Sequence, residues 1–176
     1  TYHAPLPEMQ FVLNELAGMA EVAKLPGCEE AEPETVAAIL EEASRFATDV
    51  LDPLNRSGDQ RGARLTEDGT VHTPQGFRDA YWKFVENGWN GLAKSPEFGG
   101  QGLPQIVAAA VEEMWHASNM AFELCPLLTQ GAIEAIELNG SEELKQRYLP
   151  KMVAGEWTGT MNLTEPQAGS DLAAVR

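Results

Sequence analysis

Apolar side chains recur at intervals of three and four residues along most of the chain, the spacing of a helix that buries one face. The clearest stretch is residues 34–54, where the apolar positions are Val36, Ile39, Leu40, Ala43, Phe46, Val50 and Leu51. Charged residues occupy the other faces. This pattern predicts an amphipathic helix that Asp52-Pro53 ends, because proline cannot continue a helix without losing a hydrogen bond.

Further helices are predicted on both sides of this stretch. They cover residues 2–25, a segment from Pro74 to a C-cap at Gly88, a segment opened by Pro104, residues 119–138 with an interruption near Pro126, and a segment from an N-cap at Ser141 to about Pro150. Residues 55–73 are polar and rich in glycine, which predicts a surface loop.

The pattern changes after Gly155. Residues 157–164 alternate polar and apolar side chains and are rich in threonine, which predicts a strand. A single strand would leave its backbone donors and acceptors unpaired. The sequence therefore predicts an N-terminal extension at residues 1–33, a helical domain at 34–156 and the truncated start of a β-domain at 157–176.

Composition is that of a globular chain, with 43% hydrophobic and 22% charged residues. Its net charge of -15, from 27 acidic and 12 basic side chains, disfavours nucleic acid and anionic membrane surfaces as partners. A phosphate-bearing cofactor stays compatible, because backbone N–H groups can hold phosphate. Two cysteines and no secretion-like start predict a cytoplasmic protein without disulfides or membrane insertion.

Most groups that could carry chemistry have a structural explanation. The glycine cluster 99–102 lacks the strand or the Gly-Lys-Ser/Thr that phosphate loops need, which favours a turn between helices. The three histidines lack metal-site spacing, so no metal site is predicted. Cys125 is interpreted as a small buried hydrophobe. The paired glutamates, including Glu112-Glu113, are interpreted as solvated helix faces.

Residues 163–171, with the sequence LTEPQAGSD, join the predicted strand to a turn. Strand-end N–H groups and the Thr164 hydroxyl could bind the heteroatom edge of a flat ring, and Gly169 permits close backbone approach. The Ser170 hydroxyl can donate to a phosphate or carbonyl oxygen. The alternative is an ordinary strand-to-loop turn capped by Asp171, and composition alone favours that alternative.

Residues 161–172 resemble the T-E-P-x-x-G-S-D signature of acyl-CoA dehydrogenases. Residues 88–89 with 96–104, and residues 140–145 with 148–150 and 155–157, resemble two other blocks of the same family in the same order. Residues 2–6 and 11–13 are similar to the N-terminal segment of larger bacterial members, the 3-methylmercaptopropionyl-CoA dehydrogenase type. The resemblance implies a mostly α fold: an N-terminal up-down helical bundle followed by the first strand of a middle β-domain, with a C-terminal bundle not included.

The resemblance implies an FAD enzyme that removes two hydrogens from an acyl-CoA thioester. Members bind FAD non-covalently, and a glutamate base takes the α-proton while the β-hydrogen passes to the flavin as hydride. By resemblance, Met161, Leu163 and Thr164 face the isoalloxazine ring, and Thr164 hydrogen-bonds its pyrimidine edge. Gly169 and Ser170 lie near the FAD pyrophosphate and the thioester.

The resemblance also implies a substrate pocket. The implied contacts to acyl-CoA are Ser170, Phe122, Leu124 and Leu127. The catalytic glutamate usually lies in the C-terminal bundle, so no catalytic residue is assigned in this chain, and the chain alone is expected to be inactive. Family membership implies electron-transfer flavoprotein or a similar acceptor as partner, and a homo-oligomer for the full-length enzyme.

Alternative functions stay open at this level. An acyl-CoA oxidase or a nitroalkane-type oxidase shares the fold and differs in the reaction of its reduced flavin with oxygen. A non-catalytic, DNA-associated relative is disfavoured by the acidic charge. A purely helical interaction module would make the signature a coincidence.

Overall fold

The computed structural model describes residues 1–175, and most of them lie in helices. The α-helices are α1 (Leu6–Phe11), α2 (Met19–Val22), α3 (Pro33–Phe46), α4 (Asp52–Arg61), α5 (Phe77–Glu86), α6 (Gln105–Asn139) and α7 (Glu142–Val153). Strands β1 (Arg64–Leu65) and β2 (Val71–His72) form a short antiparallel hairpin. The prediction of a mostly helical bundle is confirmed.

The helix predicted over residues 34–54 is part of a longer rod. A π-type turn at Ala47–Leu51 joins α3 directly to α4, so the predicted end at Asp52-Pro53 is wrong. Pro53 falls in the first turn of α4, where the missing N–H needs no intrahelical partner. The loop predicted over residues 55–73 is correspondingly wrong in part, since it contains the rest of α4 and the hairpin.

The sequence predicted one helix opened by Pro104 and another beginning at Asn119. The two run together as the long helix α6, which bends at Asn119, whereas the interruption predicted near Pro126 does not occur. Asn119 has non-helical backbone angles (φ -157, ψ 83). Its side-chain oxygen accepts a hydrogen bond from the Phe122 N–H at 3.1 Å, and its side-chain nitrogen donates to the Leu51 carbonyl at 3.0 Å. Asn119 therefore caps the second half of α6 and ties the bend to the α3–α4 rod. Pro126 stays inside the helix, buried.

Two predicted helix ends also differ by a few residues. The helix expected from Pro74 begins at Phe77, after Gly76 in the left-handed region. Gly88 terminates it as predicted, in the left-handed region (φ 73) directly after the C-cap residue Asn87. Ser141 caps α7 as predicted, with its hydroxyl accepting from the Leu144 N–H at 3.3 Å. However, α7 continues through Pro150 to Val153.

The core lies where α3, α5 and the first half of α6 face one another. Trp115 is 2% exposed and its ring meets Phe46 edge-on, with 5.2 Å between ring centroids. Phe84 and Trp89 pack against other sides of Trp115 at 6.4 and 5.4 Å. The N-terminal segment also contributes buried residues to this core, Met9, Leu13, Met19 and Ala31 among them. A smaller cluster around Ile133 and Leu149 joins α6 to α7.

The glycine cluster 99–102 is a turn between a 3₁₀ segment (Pro96–Phe98) and α6, as predicted. At Gly100, an added Cβ would lie 2.1 Å from the Lys94 carbonyl oxygen. The backbone there is itself held, because the Gly102 N–H donates to the same oxygen at 2.9 Å. The cluster is glycine-rich because two backbone segments cross at close range.

We expect Gly100→Ala to lower the free energy of unfolding by about 1–3 kcal/mol or more, because the backbone must shift to admit the methyl group. Gly131→Ala is the matched control, since a Cβ at that helical position meets nothing within 4 Å. Urea titrations of both variants check the prediction. Equal urea midpoints for the two variants would show that the turn accommodates the methyl group without a loss of stability.

The strand predicted over residues 157–164 does not form. Residues 158–164 have no regular secondary structure, and among residues 1–175 no strand lies beside them to complete a ladder. Because a strand is stabilised by hydrogen bonds to a neighbouring strand, the alternating sequence pattern alone is insufficient. The segment is instead an exposed connection that leaves the helical body.

Candidate functional site

The segment that contains the signature is fastened to α6 at its beginning. The Gly159 N–H donates to the Thr129 hydroxyl oxygen at 3.1 Å, and this hydroxyl donates to the Cys125 carbonyl at 2.9 Å. An added Cβ at Gly159 would lie 2.5 Å from the Ala132 Cβ. Glycine is therefore required for the segment to pass this close to the helix, and the crossing fixes where the signature begins.

Beyond this crossing, the side chains predicted to face a flavin are open to solvent. Met161 is 65% exposed and Leu163 is 46% exposed, and Thr164 is also exposed. Exposed apolar side chains next to a hydroxyl and an unpaired backbone form a surface to which a flat heteroaromatic ring can bind.

The signature bends directly after Thr164. The Glu165 N–H donates to the Ala168 carbonyl at 2.9 Å, and the Ala168 N–H donates back to the Glu165 carbonyl at 3.1 Å. Ala168 is buried, whereas Gly169 and Ser170 are exposed. This bend brings Gly169 back beside Thr164, since an added Cβ at Gly169 would lie 3.9 Å from the Thr164 methyl carbon. Thr164, Gly169 and Ser170 therefore lie on one exposed bend.

The predicted acyl-pocket residues lie on different sides of α6. Phe122 is 4% exposed and lines a cavity of about 380 Å³ together with Phe77, Tyr81 and Cys125. Leu127 is 40% exposed and lines a separate cleft. Leu124 is 49% exposed. Within residues 1–175 these three side chains do not share one pocket, so their common role in substrate binding stays a prediction.

The cavity beside Phe122 has an apolar wall with polar groups at its edge. The Tyr81 hydroxyl donates to the Gly155 carbonyl at 2.9 Å, and burial raises the pKa of Tyr81 to about 12. Tyr81 is therefore a neutral donor at physiological pH. Cys125, interpreted from sequence as buried, is exposed, because its helical position places it toward this open cavity and not toward the core.

Glu123 is a buried carboxyl group that the sequence analysis missed. It is 1% exposed, and burial raises its pKa to about 8, with a further contribution from the Glu112 carboxylate. Glu112, assigned to a solvated face, is half-buried, and burial raises its pKa too. Asn119, Glu123 and Gln130 follow one another at steps of four and seven, a helical stripe of polar residues within an apolar segment. That stripe was the feature of the sequence that could have indicated a buried polar site at Glu123.

Two kinds of feature were looked for in the described part of the chain, metal-binding clusters and membrane-spanning helices. Residues 1–175 contain no group of three or more histidine, cysteine, aspartate or glutamate side chains that could hold a metal ion. In the same residues, no helix is both long enough and apolar enough to cross a bilayer.

Comparison with known proteins decides the family. The family model described as acyl-CoA dehydrogenase, N-terminal domain, matches residues 33–156. The chain belongs to the acyl-CoA dehydrogenase family. The resemblance stated from the signature and its two companion blocks is thereby confirmed.

Relatives of this acyl-CoA dehydrogenase chain include one of the larger bacterial type. A 3-methylmercaptopropionyl-CoA dehydrogenase of Ruegeria pomeroyi is 47% identical over 176 residues, which is all of this chain and 30% of the relative. A butyryl-CoA dehydrogenase of Syntrophomonas wolfei is 39% identical over 140 residues, covering 78% of this chain and 23% of the relative. The chain thus spans less than a third of the length of these relatives.

Solved structures support the same acyl-CoA dehydrogenase fold. A chain in the structure of the electron transferring flavoprotein of Acidaminococcus fermentans matches with a TM-score of 0.64 and 25% identity, over 79% of this chain and 34% of that one. The FAD complex of PigA matches with a TM-score of 0.62 and 26% identity, over 78% of this chain and 34% of that one.

Proposed function

We propose that this chain is the N-terminal part of an FAD-dependent enzyme that dehydrogenates an acyl-CoA thioester between its α and β carbons. The observation that carries the proposal is the signature at residues 161–172, which lies on an exposed bend of a chain whose family is established. The 47% identity to a 3-methylmercaptopropionyl-CoA dehydrogenase favours a dehydrogenase over the oxidase alternatives.

The residues of the bend fit a flavin. Met161 and Leu163 offer exposed apolar surface to a ring face, and Thr164 offers a hydroxyl beside them. Gly169 has no side chain to obstruct a neighbouring phosphate, and Ser170 has an exposed donor. The chemistry that FAD supplies in this family is acceptance of a hydride from the β-carbon of the thioester.

The chain's own contribution is to bind and orient. In the proposal, Thr164 holds the pyrimidine edge of the ring, which fixes the ring relative to the substrate. Ser170 hydrogen-bonds the pyrophosphate or the thioester, while Phe122, Leu124 and Leu127 contact the acyl group. The base that removes the α-proton lies outside this chain, so the chain alone has no dehydrogenase activity.

Partners follow from the same proposal. The substrate is an acyl-CoA, and the electrons leave to an electron-transfer flavoprotein or a similar acceptor. The full-length enzyme is a homo-oligomer located in the cytoplasm. The substrate, the acceptor and the oligomer are expected from the family, whereas the cytoplasmic location is expected from the two cysteines, too few for a disulfide framework. The acidic charge of -15 is compatible with these expectations.

Activity measurements on the full-length enzyme test the proposal. We expect an artificial electron acceptor to support conversion of acyl-CoA to the α,β-unsaturated thioester in the absence of oxygen. An oxidase would instead need oxygen and release hydrogen peroxide. A protein that converts none of a panel of thioesters would contradict the proposal.

The role of Thr164 has its own test. We expect Thr164→Val in the full-length enzyme to weaken FAD binding about 5- to 100-fold, the loss for one hydrogen bond with its partner left unpaired. Thr158→Val is the matched control, because it makes the same change on the same exposed segment outside the signature. Equal FAD dissociation constants for the two variants, measured by fluorescence, would remove Thr164 from the site.

A further inference from the structure

A small, partly enclosed cavity lies within the helical body, apart from the signature bend. Its volume is ≈ 20 Å³, and it lies between the Trp89–Gly91 turn and α6. Three buried polar atoms from residues in its lining have no hydrogen-bond partner among residues 1–175: Trp89 Nε1, Glu123 Oε2 and Gln130 Oε1. Buried polar atoms are almost always paired, so three in one lining need an explanation.

The orientation of Gln130 is set by its neighbour. Its side-chain nitrogen donates to the Asn90 backbone carbonyl at 2.9 Å and approaches the Asn90 side-chain oxygen at 3.4 Å. Asn90 in turn donates to the Met152 carbonyl at 2.6 Å. Because the amide nitrogen is committed to Asn90, the Gln130 oxygen is left as an acceptor without a partner among residues 1–175.

The orientation of Trp89 is set by packing. Its ring meets Trp115 nearly edge-on, with 5.4 Å between centroids and 73° between ring planes. The indole N–H is a donor only. The lining therefore presents one fixed donor, one fixed acceptor and one carboxyl group. The carboxyl group can donate a hydrogen bond when it is protonated and only accepts when it is ionised.

Size and chemistry together select the occupant. A cavity holds one water when the volume open to the centre of a water molecule is about 10–15 Å³ or more and two to four polar partners line it. A metal ion or ammonium of similar size cannot accept a hydrogen bond, so the Trp89 N–H would stay unpaired. We propose that this cavity is a binding site for a single water molecule, which accepts from Trp89 and bridges Gln130 and Glu123.

The charged groups around Glu123 influence whether its carboxyl group is protonated in this site. Lys94, which follows the Trp89–Gly91 turn, and Glu112 from the first half of α6 line the same cavity. His116 lies one turn beyond Glu112, and its Nδ1 is paired with the Glu112 carbonyl at 2.8 Å. No cation among residues 1–175 forms a salt bridge with Glu123. A buried carboxyl group without a counter-ion is neutral, so Glu123 donates its proton within the site.

The water has a structural role that the sequence does not reveal. It joins the Trp89–Gly91 turn to the second half of α6, and Asn90 extends the connection to the end of α7. Three elements that are also in apolar contact are thereby connected through one polar centre.

A high-resolution crystal structure of the protein tests the proposal. We expect one solvent peak within about 3.2 Å of Trp89 Nε1, Glu123 and Gln130 Oε1. We expect Trp89→Phe, which keeps the ring contact with Trp115, to lose or move that peak. A cavity without density, three side chains bonded directly to one another, or an unmoved peak in Trp89→Phe would overturn the assignment.

Infrared spectroscopy of the protein provides the second measurement. We expect a carbonyl stretch from a protonated carboxylic acid at neutral pH that Glu123→Gln removes and that Glu134→Gln, an exposed position on α6, leaves unchanged. If Glu123→Gln removes no carbonyl band, Glu123 is charged and its role as a donor in the site is overturned.

Discussion

Glu123→Gln should make the chain more stable than the wild type at high pH, by roughly 3–5 kcal/mol at about pH 9. Burial raises the pKa of Glu123 to about 8, above its ordinary value of 4.5. Each pKa unit corresponds to about 1.36 kcal/mol of differential interaction. Glutamine keeps the shape of the protonated acid and never acquires the charge.

The direction follows from proton binding. Between pH values near 4.5 and 8, folded Glu123 holds a proton that the unfolded chain has released. Stability therefore falls as the pH rises through this window, and Glu123 contributes no penalty below it. Near pH 4.5 the variant and the wild type should agree within about 1 kcal/mol. The measurement is a series of urea unfolding curves across the window.

Glu134→Gln is the matched control for this prediction. It removes the same charge from an exposed position on the same helix, so it reports the general effect of reducing a net charge of -15. Parallel pH profiles for Glu123→Gln and Glu134→Gln would contradict a specific penalty for the buried carboxylate.

Trp115→Ala should lower the free energy of unfolding by about 3–5 kcal/mol, the usual cost of removing a buried large aromatic side chain. The Trp115 ring is in edge-on contact with Phe46, Phe84 and Trp89. Its removal leaves a cavity between α3, α5 and α6, and it also releases the ring that orients Trp89 at the proposed water site.

Trp82→Ala provides the comparison for the core prediction. Trp82 is 43% exposed, against 2% for Trp115, so its removal should change stability by about 1 kcal/mol or less. Chemical denaturation monitored by far-UV circular dichroism gives both values. Similar losses for the two variants would mean that Trp115 is not the centre of the core.

The sequence predicted the parts of the fold that depend on periodicity. The buried residues Val36, Leu40, Ala43, Phe46 and Leu51 of the α3–α4 rod are among those that the three-and-four spacing identified. Gly88 and Ser141 were also identified as caps, because local backbone geometry and side-chain chemistry decide a cap within a few residues.

The features that the sequence did not predict depend on distant contacts. The sequence placed the start of a helix at Asn119, but it did not predict the hydrogen bond from Asn119 to the Leu51 carbonyl, which lies far away in sequence. Pro53 and Pro126 were assigned as helix interruptions, yet one lies in a first turn and the other is buried within a helix. Residues 157–164 have the alternation of a strand, but a strand also needs a neighbour.

In the candidate site too, some features could be predicted from the sequence and others could not. The signature at residues 161–172 was recognisable because its residue types and spacing are specific, and the structure adds that Thr164, Gly169 and Ser170 share an exposed bend. Glu123 was missed, because a glutamate within an apolar helix is ordinarily assigned to a solvated face. Only the packing of Trp89 and Gln130 around it shows that it is buried.

The central claim is that the bend at Thr164–Ser170 binds a flavin that takes hydride from an acyl-CoA, and spectroscopy of the full-length enzyme tests it most directly. We expect the enzyme to purify with FAD and its visible flavin absorbance to bleach when a suitable acyl-CoA thioester is added without oxygen. We expect Thr164→Val to retain less FAD than Thr158→Val. A colourless full-length protein that does not take up added FAD, or a bound flavin that no thioester bleaches, would contradict the account.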